Sequence, residues 1–209
     1  YLTFETDKDE KIKEISINPV TTGVKKNYIN VMVARTSFLL NLIQDAIQRG
    51  YTSFGRDILV PGVKNLKLYG YKMSGYYADI DSLVAYFNSN MDLLNPKAGL
   101  DLSREDWKIY SRNPVMPPHY IAKGAKVQNS LVAEGCNVYG DLEFSVLFHG
   151  VYVAPTATVT DSIVMPGAVI EEGAKVQYAI VAENAVIGKN CVIGKRPEDM
   201  ENRDDWGVA

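Results

Sequence analysis

The sequence predicts an α/β domain followed by a left-handed parallel β-helix, and three observations lead to this fold class. Strand-like and helix-like segments alternate in the first half, as they do in chains that form an α/β sheet. A proline-rich stretch without a sustained hydrophobic period comes next. The second half places one aliphatic residue at every fifth or sixth position, which is typical of a solenoid of short strands.

The first half begins with a hairpin and a buried strand. In "YLTFETDKDEKIKEISI", apolar and polar residues alternate on both sides of a charged turn from Asp7 to Glu10, which predicts two antiparallel strands. The run "NYINVMVA" is almost continuously apolar. It therefore predicts a strand that is buried on both faces of a sheet.

Two helices and another strand complete the first half. "TSFLLNLIQDAIQRG" predicts a helix with Thr36 or Ser37 as its N-cap and Gly50 as its stop. "LKLYGYK" predicts a strand, and "DSLVAYFNSNMDLL" predicts a second helix capped by Asp81 or Ser82. Strands that alternate with helices in this way indicate an α/β sheet.

A linker and a repeat make up the rest of the chain. Residues 95–118 contain four prolines and no hydrophobic period, so we expect a linker between an α/β domain at 1–94 and a repeat domain at 119–209. The repeated aliphatic residues are Ile121, Val127, Val132, Val138, Val153, Val159, Val164, Ile170, Val176, Val181, Ile187 and Ile193.

The spacing of these residues gives the geometry of the repeat. Their steps of six, five and six positions add up to coils of 17 residues, and three short strands per coil form a triangular, left-handed β-helix of hexapeptide repeats. The step from Val138 to Val153 is only 15 residues, so we expect one shortened turn around "GDLEFS". About four and a half coils are present.

Composition excludes several classes of partner. The chain has 209 residues, of which 46% are apolar and 22% charged, with a formal net charge of −3. Its basic residues are dispersed and no apolar run is long enough to span a bilayer, so we expect neither nucleic acid nor a membrane as partner, and a cytoplasmic location. Cys136 and Cys191 lie far apart and indicate neither a zinc site nor a disulfide framework.

Four segments carry specific motifs. "FGRDILVP" is similar to Phe-Gly-x-Asp-Ile-(Ile/Leu)-Pro, and "GYYADIDSLVAYFNSNMDLL" to Gly-Tyr-Trp-x-Asp-Val-Gly-Thr followed by a Tyr-x-x-Asn-Met-Asp-Leu helix. "LDLSREDWKIYSRNPVMPPHYI" resembles a Leu-Asp-Leu, Trp-x-Ile and Pro-Pro linker, and "NSLVAEGCNV" resembles a hexapeptide coil. In this order they resemble the ADP-glucose pyrophosphorylase (glucose-1-phosphate adenylyltransferase) family over nearly all of the chain.

The resemblance implies a fold and a reaction. The first domain would be the C-terminal part of a Rossmann-like nucleotidyltransferase domain. The chain starts at Tyr1 and contains no Gly-rich phosphate loop, so we expect it to be part of a longer protein. The family joins ATP and glucose 1-phosphate to give ADP-glucose and pyrophosphate, with Mg²⁺ and basic side chains neutralising the phosphates.

The positions that would bind substrate depart from the family pattern. Ile17 and Asn18 stand where the resemblance places a sugar-binding carboxylate and a phosphate-binding lysine. In the strand that follows, Tyr28 replaces a phosphate-binding serine and Asn30 a glycine. These four positions together indicate a degraded substrate pocket.

The last motif keeps one functional residue. Tyr77 replaces a tryptophan, whereas Asp79 stands at the family's metal-ligand position. A turn or capping carboxylate explains Asp79 equally well, because a helix is predicted to begin a few residues later.

The chain therefore resembles the regulatory, catalytically degraded subunit of a heteromeric bacterial ADP-glucose pyrophosphorylase, a family that serves glycogen biosynthesis. We expect a catalytic subunit of that enzyme as partner, and also self-association, because solenoid ends leave unpaired strand edges. A catalytically competent sugar-nucleotide pyrophosphorylase is the second interpretation. A hexapeptide-repeat acyltransferase is the third, and its only support is His149, as a general base carried on a coil.

Overall fold

The computed structural model describes residues 2–17, 26–111 and 114–199, and the chain divides into two compact units between Ser74 and Gly75. No helix within the described residues is long and apolar enough to cross a membrane. The expected boundaries at residues 94 and 118 remain a prediction.

The first unit contains a small antiparallel sheet followed by helices. Its elements are β1 (Leu2–Thr6), β2 (Ile12–Ile17), β3 (Lys26–Asn27), α1 (Thr36–Gln48), a π-helical turn (Phe54–Leu59) and the short α2 (Val60–Gly62). The strand order is β2-β1-β3, with both pairs antiparallel, so the predicted hairpin is confirmed. The carboxylate of Asp7 closes the hairpin turn by accepting the amides of Asp9 and Lys11, each at 3.0 Å. The larger nucleotidyltransferase sheet remains a prediction.

Three local predictions for the first unit are wrong. Residues 28–35 form no strand, and Val33 in that run is 96% exposed, because the described residues provide no neighbouring strand to pair with it. "LKLYGYK" makes only one bridge, between Tyr69 and Lys11. The N-cap of α1 is Arg35, without a capping side chain. The stop at Gly50 is confirmed, since its φ of +68° ends the helix in the left-handed region.

The second unit consists of one helix and a parallel β-solenoid. Helix α3 (Leu83–Asp92) is capped by Ser82, whose Oγ accepts the amide of Ala85 at 3.2 Å. The strands are β4 (Tyr120–Ile121), β5 (Val127–Gln128), β6 (Leu131–Val132), β7 (Asn137–Val138), β8 (Asp141–Glu143), β9 (Val146–Leu147), β10 (Tyr152–Val153), β11 (Thr158–Thr160), β12 (Ile163–Val164), β13 (Val169–Ile170), β14 (Lys175–Gln177), β15 (Ile180–Val181), β16 (Val186–Ile187) and β17 (Val192–Ile193). A 3₁₀ turn follows at Pro197–Asp199.

These strands stack into three parallel sheets, which confirms a solenoid of about four coils. The sheet orders are β16-β13-β10-β7-β4, β17-β14-β11-β8-β5 and β15-β12-β9-β6. The predicted inward residues from Val138 onwards are buried, and those of the first and last coils are partly exposed because no coil covers them. The left-handed sense of the coil remains a prediction.

The shortened coil is real, and its turn lies between Val138 and Leu142. A Cβ on Gly140 would stand 2.3 Å from the carbonyl oxygen of Ala157 in the next coil, so only glycine fits this tight corner. Leu142 and Leu147 fill the two inward places of this coil, pairing with the strands above and below. The sequence pattern missed both leucines because the short turn shifts their spacing.

One corner of the solenoid is lined by a serine ladder, which we define as Ser130, Ser145 and Ser162. The hydroxyl of each serine donates to the carbonyl two residues earlier, at 2.7–2.8 Å. Each also accepts the amide of the equivalent residue one coil further on, at 3.1–3.2 Å. The last of these amides belongs to Ala179. The ladder thus satisfies backbone groups that are buried at the corner.

The three outer faces of the solenoid differ in character. Helix α3 covers the face that presents Val146 and Ile163. A second face is polar and carries residues such as Thr158 and Lys175. The third is lined by a row of tilted aromatic rings, with Tyr139 lying 5.7 Å from Tyr120 and 5.6 Å from Tyr152 between ring centroids.

Candidate functional site

Two of the predicted pocket positions lie at the same end of the small sheet, on opposite sides of β1. Ile17 is the last residue of β2 and pairs with Leu2, and the amide of Tyr28 donates to the carbonyl of Leu2 at 2.9 Å from the other side. The two positions therefore flank the same residue, about 10 Å apart across two strand spacings. The structure places both residues on the same small sheet, and their part in a substrate pocket stays a prediction.

Neither of these residues supplies a charge. Ile17 is 46% exposed and offers only an apolar surface. Tyr28 is half-buried, and burial raises the pKa of its phenol, so it stays neutral near pH 7. Among the described residues at this end of the sheet, Ile17 can pack against an apolar group and Tyr28 can donate one hydrogen bond, but neither presents a fixed charge to a phosphate.

The cation of β3 is already engaged. Lys26 Nζ forms an ion pair with the carboxylate of Glu10 and donates to Thr6 Oγ1 at 2.9 Å. The hydrogen bond from Lys26 lowers the pKa of Glu10. Because its charge is balanced within the sheet, Lys26 does not replace the lysine that the resemblance places next to Ile17.

Asn30 lies two residues beyond Tyr28 and is exposed. Its φ of +58° lies in the left-handed region, where asparagine is tolerated better than most residues and glycine is tolerated best. The backbone thus keeps the conformation that a glycine would favour at this position. Asn18, the fifth candidate position, lies outside the described residues.

Tyr77 and Asp79 belong to the second unit, in the segment that leads into α3. Burial, followed by the negative charge of Asp79 and a hydrogen bond to its carboxylate, raises the pKa of Tyr77, and Asp81 adds to this. Ser82 rather than Asp81 caps the helix, so Asp79 is not a capping carboxylate. The structure gives Asp79 one clear interaction, with the phenol of Tyr77.

The described residues around Asp79 do not form a complete metal site. Within the described ranges, no group of three acidic, histidine or cysteine side chains is placed to hold a metal ion. Magnesium is usually held by one or two carboxylates together with substrate phosphates. Asp79 and Asp81 are the two carboxylates of this segment, and a magnesium site here remains a prediction.

A hydrogen bond that the sequence did not reveal holds this segment against α3. The hydroxyl of Tyr76 donates to Asp92 Oδ2 at 2.8 Å. Burial and then the hydrogen bond to Asp92 raise the pKa of Tyr76. Both residues lie within the quoted motifs, but no period or spacing pairs residues 16 positions apart. The only sign of this pairing in the sequence was that both residues belong to the same quoted motif.

His149 lies in a turn at a corner of the solenoid and is half-buried. Its carbonyl accepts the amide of Gly167 in the next coil at 3.1 Å. This backbone role accounts for its position as part of the repeat, and the part of the chain that the structure describes gives its imidazole no acid or base partner that would favour an acyltransferase.

Comparison with known proteins gives relatives for the second half of the chain. Residues 119–206 match the family model described as "GlmU-like, C-terminal hexapeptide". Glucose-1-phosphate adenylyltransferases of Bacillus thuringiensis (strain Al Hakam) and Bacillus anthracis are each 47% identical to this chain over 116 residues, 55% of its length. That of Bacillus mycoides (strain KBAB4) is 46% identical over the same length.

These matches cover 31% of each relative, so the chain spans about a third of the length of the curated proteins that it matches. The identity lies over the half of the chain that contains the repeats. Over that half the chain is similar to glucose-1-phosphate adenylyltransferases and to the GlmU-like hexapeptide model, and its repeats fold as a parallel β-solenoid.

Proposed function

We propose that this chain is a regulatory subunit of a glucose-1-phosphate adenylyltransferase of glycogen biosynthesis, which modulates a catalytic partner subunit in a cytoplasmic hetero-oligomer. One observation carries the proposal. At the end of the sheet where the resemblance expects a sugar-binding carboxylate and a phosphate-binding serine, the chain has Ile17 and Tyr28.

The energetic consequence of these residues is large for a substrate of this kind. An isoleucine in place of a carboxylate leaves sugar hydroxyls without a partner, and Asn18 in place of a lysine removes a charge-assisted contact worth about 1.5–3 kcal/mol. Lys26 does not compensate, because Glu10 already balances its charge. A chain built in this way would bind sugar phosphate weakly and turn it over slowly.

Asp79 is the residue that would hold Mg²⁺ in a subunit that still binds nucleotide. The ion would neutralise phosphate charge there. Because Asp79 is retained, a catalytically competent pyrophosphorylase remains the second candidate, and the experiment below separates the two.

The experiment compares ADP-glucose synthesis by the catalytic subunit of the same organism, alone and co-expressed with this protein. Phosphorylated metabolites are added as trial effectors. We expect the mixture to differ from the catalytic subunit in apparent substrate affinity or effector response by about 5- to 150-fold, the range of a coupling free energy of 1–3 kcal/mol. Kinetics identical to those of the catalytic subunit, in a complex shown to contain both chains, would contradict the proposal.

A restored variant tests the reason for the low activity. Ile17→Glu combined with Asn18→Lys returns the charged pair that the resemblance places at these positions. We expect it to raise the protein's own activity, whereas Ile47→Glu, the same change at an exposed isoleucine on α1, does not. If the two variants change the activity equally, the residues at positions 17 and 18 are not the reason for the low activity.

A further inference from the structure

The segment that carries Tyr77 and Asp79 is fastened at both ends to one helix. Tyr76, directly before it, donates to Asp92 at the C-terminal end of α3. Ser82, directly after it, caps the N-terminal end of the same helix. The two contacts thus tie both ends of the segment to the two ends of α3.

The helix is in turn fixed on the solenoid. Met91, next to Asp92, is buried together with Leu94 against Val146 and Ile163 on one outer face of the coils. Ile163 itself is fully buried, between strands β9 and β15 of its sheet. A continuous set of contacts therefore runs from the coils through α3 and the Tyr76–Asp92 hydrogen bond to the segment at 77–81.

The position of Asp92 is unfavourable for the helix alone. A negative charge in the last turn lies against the negative end of the helix dipole. Asp92 nevertheless ends α3, where it accepts the hydroxyl of Tyr76. Asp92 therefore does not stabilise α3 itself, and its clear role is to accept the hydrogen bond from Tyr76.

We propose that Tyr76 is a positioning residue through which the solenoid fixes Tyr77 and Asp79. A change in the packing of α3 on the coils would thereby reach the candidate metal carboxylate. The functional meaning of this link rests on the proposed function, but the link itself concerns only the second unit and is tested on this chain without a partner.

The test measures backbone order at residues 77–81 by ¹⁵N relaxation on the 209-residue chain. We expect order parameters near the rigid value of about 0.85 in the unmodified chain and below about 0.6 in Tyr76→Phe, with the solenoid strands unchanged. Tyr110→Phe removes the same hydroxyl from a tyrosine that is 91% exposed, and it should change nothing at 77–81. A segment that is mobile in the unmodified chain, or still rigid in Tyr76→Phe, overturns the proposal.

Two further variants separate positioning from simple stability. Asp92→Asn keeps an oxygen acceptor for Tyr76 and should preserve order at 77–81, whereas Asp92→Leu should lose it. Met91→Ala loosens α3 on the coils and should lower order in both α3 and 77–81. Val186→Ala, on another outer face, should lower neither. If Met91→Ala mobilises α3 while 77–81 stays rigid, the solenoid does not act through this helix.

These outcomes are distinct from failure of the proposed function. The order parameters require no catalytic partner, so they decide the link on its own. A co-expressed complex with unaltered kinetics would count against the regulatory role and would leave the measured link in place.

Discussion

Replacement of Ser162 by alanine should destabilise the solenoid by removing one step of the serine ladder. Ser162 is fully buried, its Oγ accepts the amide of Ala179 at 3.1 Å, and it donates to the carbonyl of Thr160 at 2.7 Å. That carbonyl also accepts the amide of Tyr178 at 3.2 Å, so it keeps a partner in the variant. The principal loss is therefore the acceptor for the amide of Ala179.

The size of the effect follows from this accounting. A buried donor left without a partner costs about 1–3 kcal/mol. For a chain of this length, 1 kcal/mol lowers Tm by about 2–4 °C, so we expect a decrease of roughly 2–12 °C. Differential scanning calorimetry of the purified chain measures it.

Ser130→Ala is the matched control. Its hydroxyl makes the same two contacts, to the carbonyl of Gln128 and from the amide of Ser145, but Ser130 is only half-buried in the first coil. Because Ser130 is half-buried, water can take the place of its oxygen, so the cost should be smaller than that of Ser162→Ala. Equal decreases in Tm for the two variants would refute the argument that burial of the ladder is what stabilises the corner.

The remaining predictions concern packing, pH and assembly. Val164→Asp places an unpaired charge at a fully buried position and should lower the free energy of unfolding by several kcal/mol. Glu172→Ala, at an exposed corner, should lower it by less than about 0.5 kcal/mol. Comparable thermal shifts of the two variants would show that the coil register is wrong. Hydrogen bonds from Arg56 and from the amides of Ser53 and Thr52 lower the pKa of Asp57 from 3.8 to about 2, so its stabilising contribution is complete above pH 3.8 and is lost as the pH falls through about 2. The Asp57→Asn variant should not show this loss of stability in acid unfolding. If its stability depends on pH in the same way as that of the unmodified chain, the prediction is wrong. Light scattering at tens of micromolar should give at least a dimer, and a monomer would contradict the expected self-association.

The solenoid was predictable because its pattern is local and repeated. Val159, Val164 and Ile170 are followed one coil later by Val176, Val181 and Ile187. Burial of one aliphatic residue per short strand is enough to specify the inward face. Leu142 escaped the pattern because a two-residue deletion at the corner of Gly140 shifts its spacing. The serine ladder recurs at the same spacing as the aliphatic residues and could have been found in the sequence.

The first unit was harder to predict because strand pairing depends on distant residues. The apolar run that ends at Val33 has the composition of a central strand, yet pairing requires neighbours that the run itself does not specify. In the candidate site, Ile17 and Tyr28 were selected by the resemblance to the family. That they lie on either side of Leu2 is visible only in the register of the sheet. The Tyr76–Asp92 contact likewise depends on how the chain returns along α3.

The turnover of the protein without its partner tests the central claim most directly. Two or three lost substrate contacts, at about 1.4 kcal/mol per tenfold change, predict a kcat/KM for glucose 1-phosphate at least about 100- to 1000-fold lower than that of the catalytic subunit. The assay uses the protein expressed from its own gene, with the catalytic subunit measured in parallel. Turnover equal to that of the catalytic subunit would contradict the regulatory role and would make Asp79 a working metal ligand.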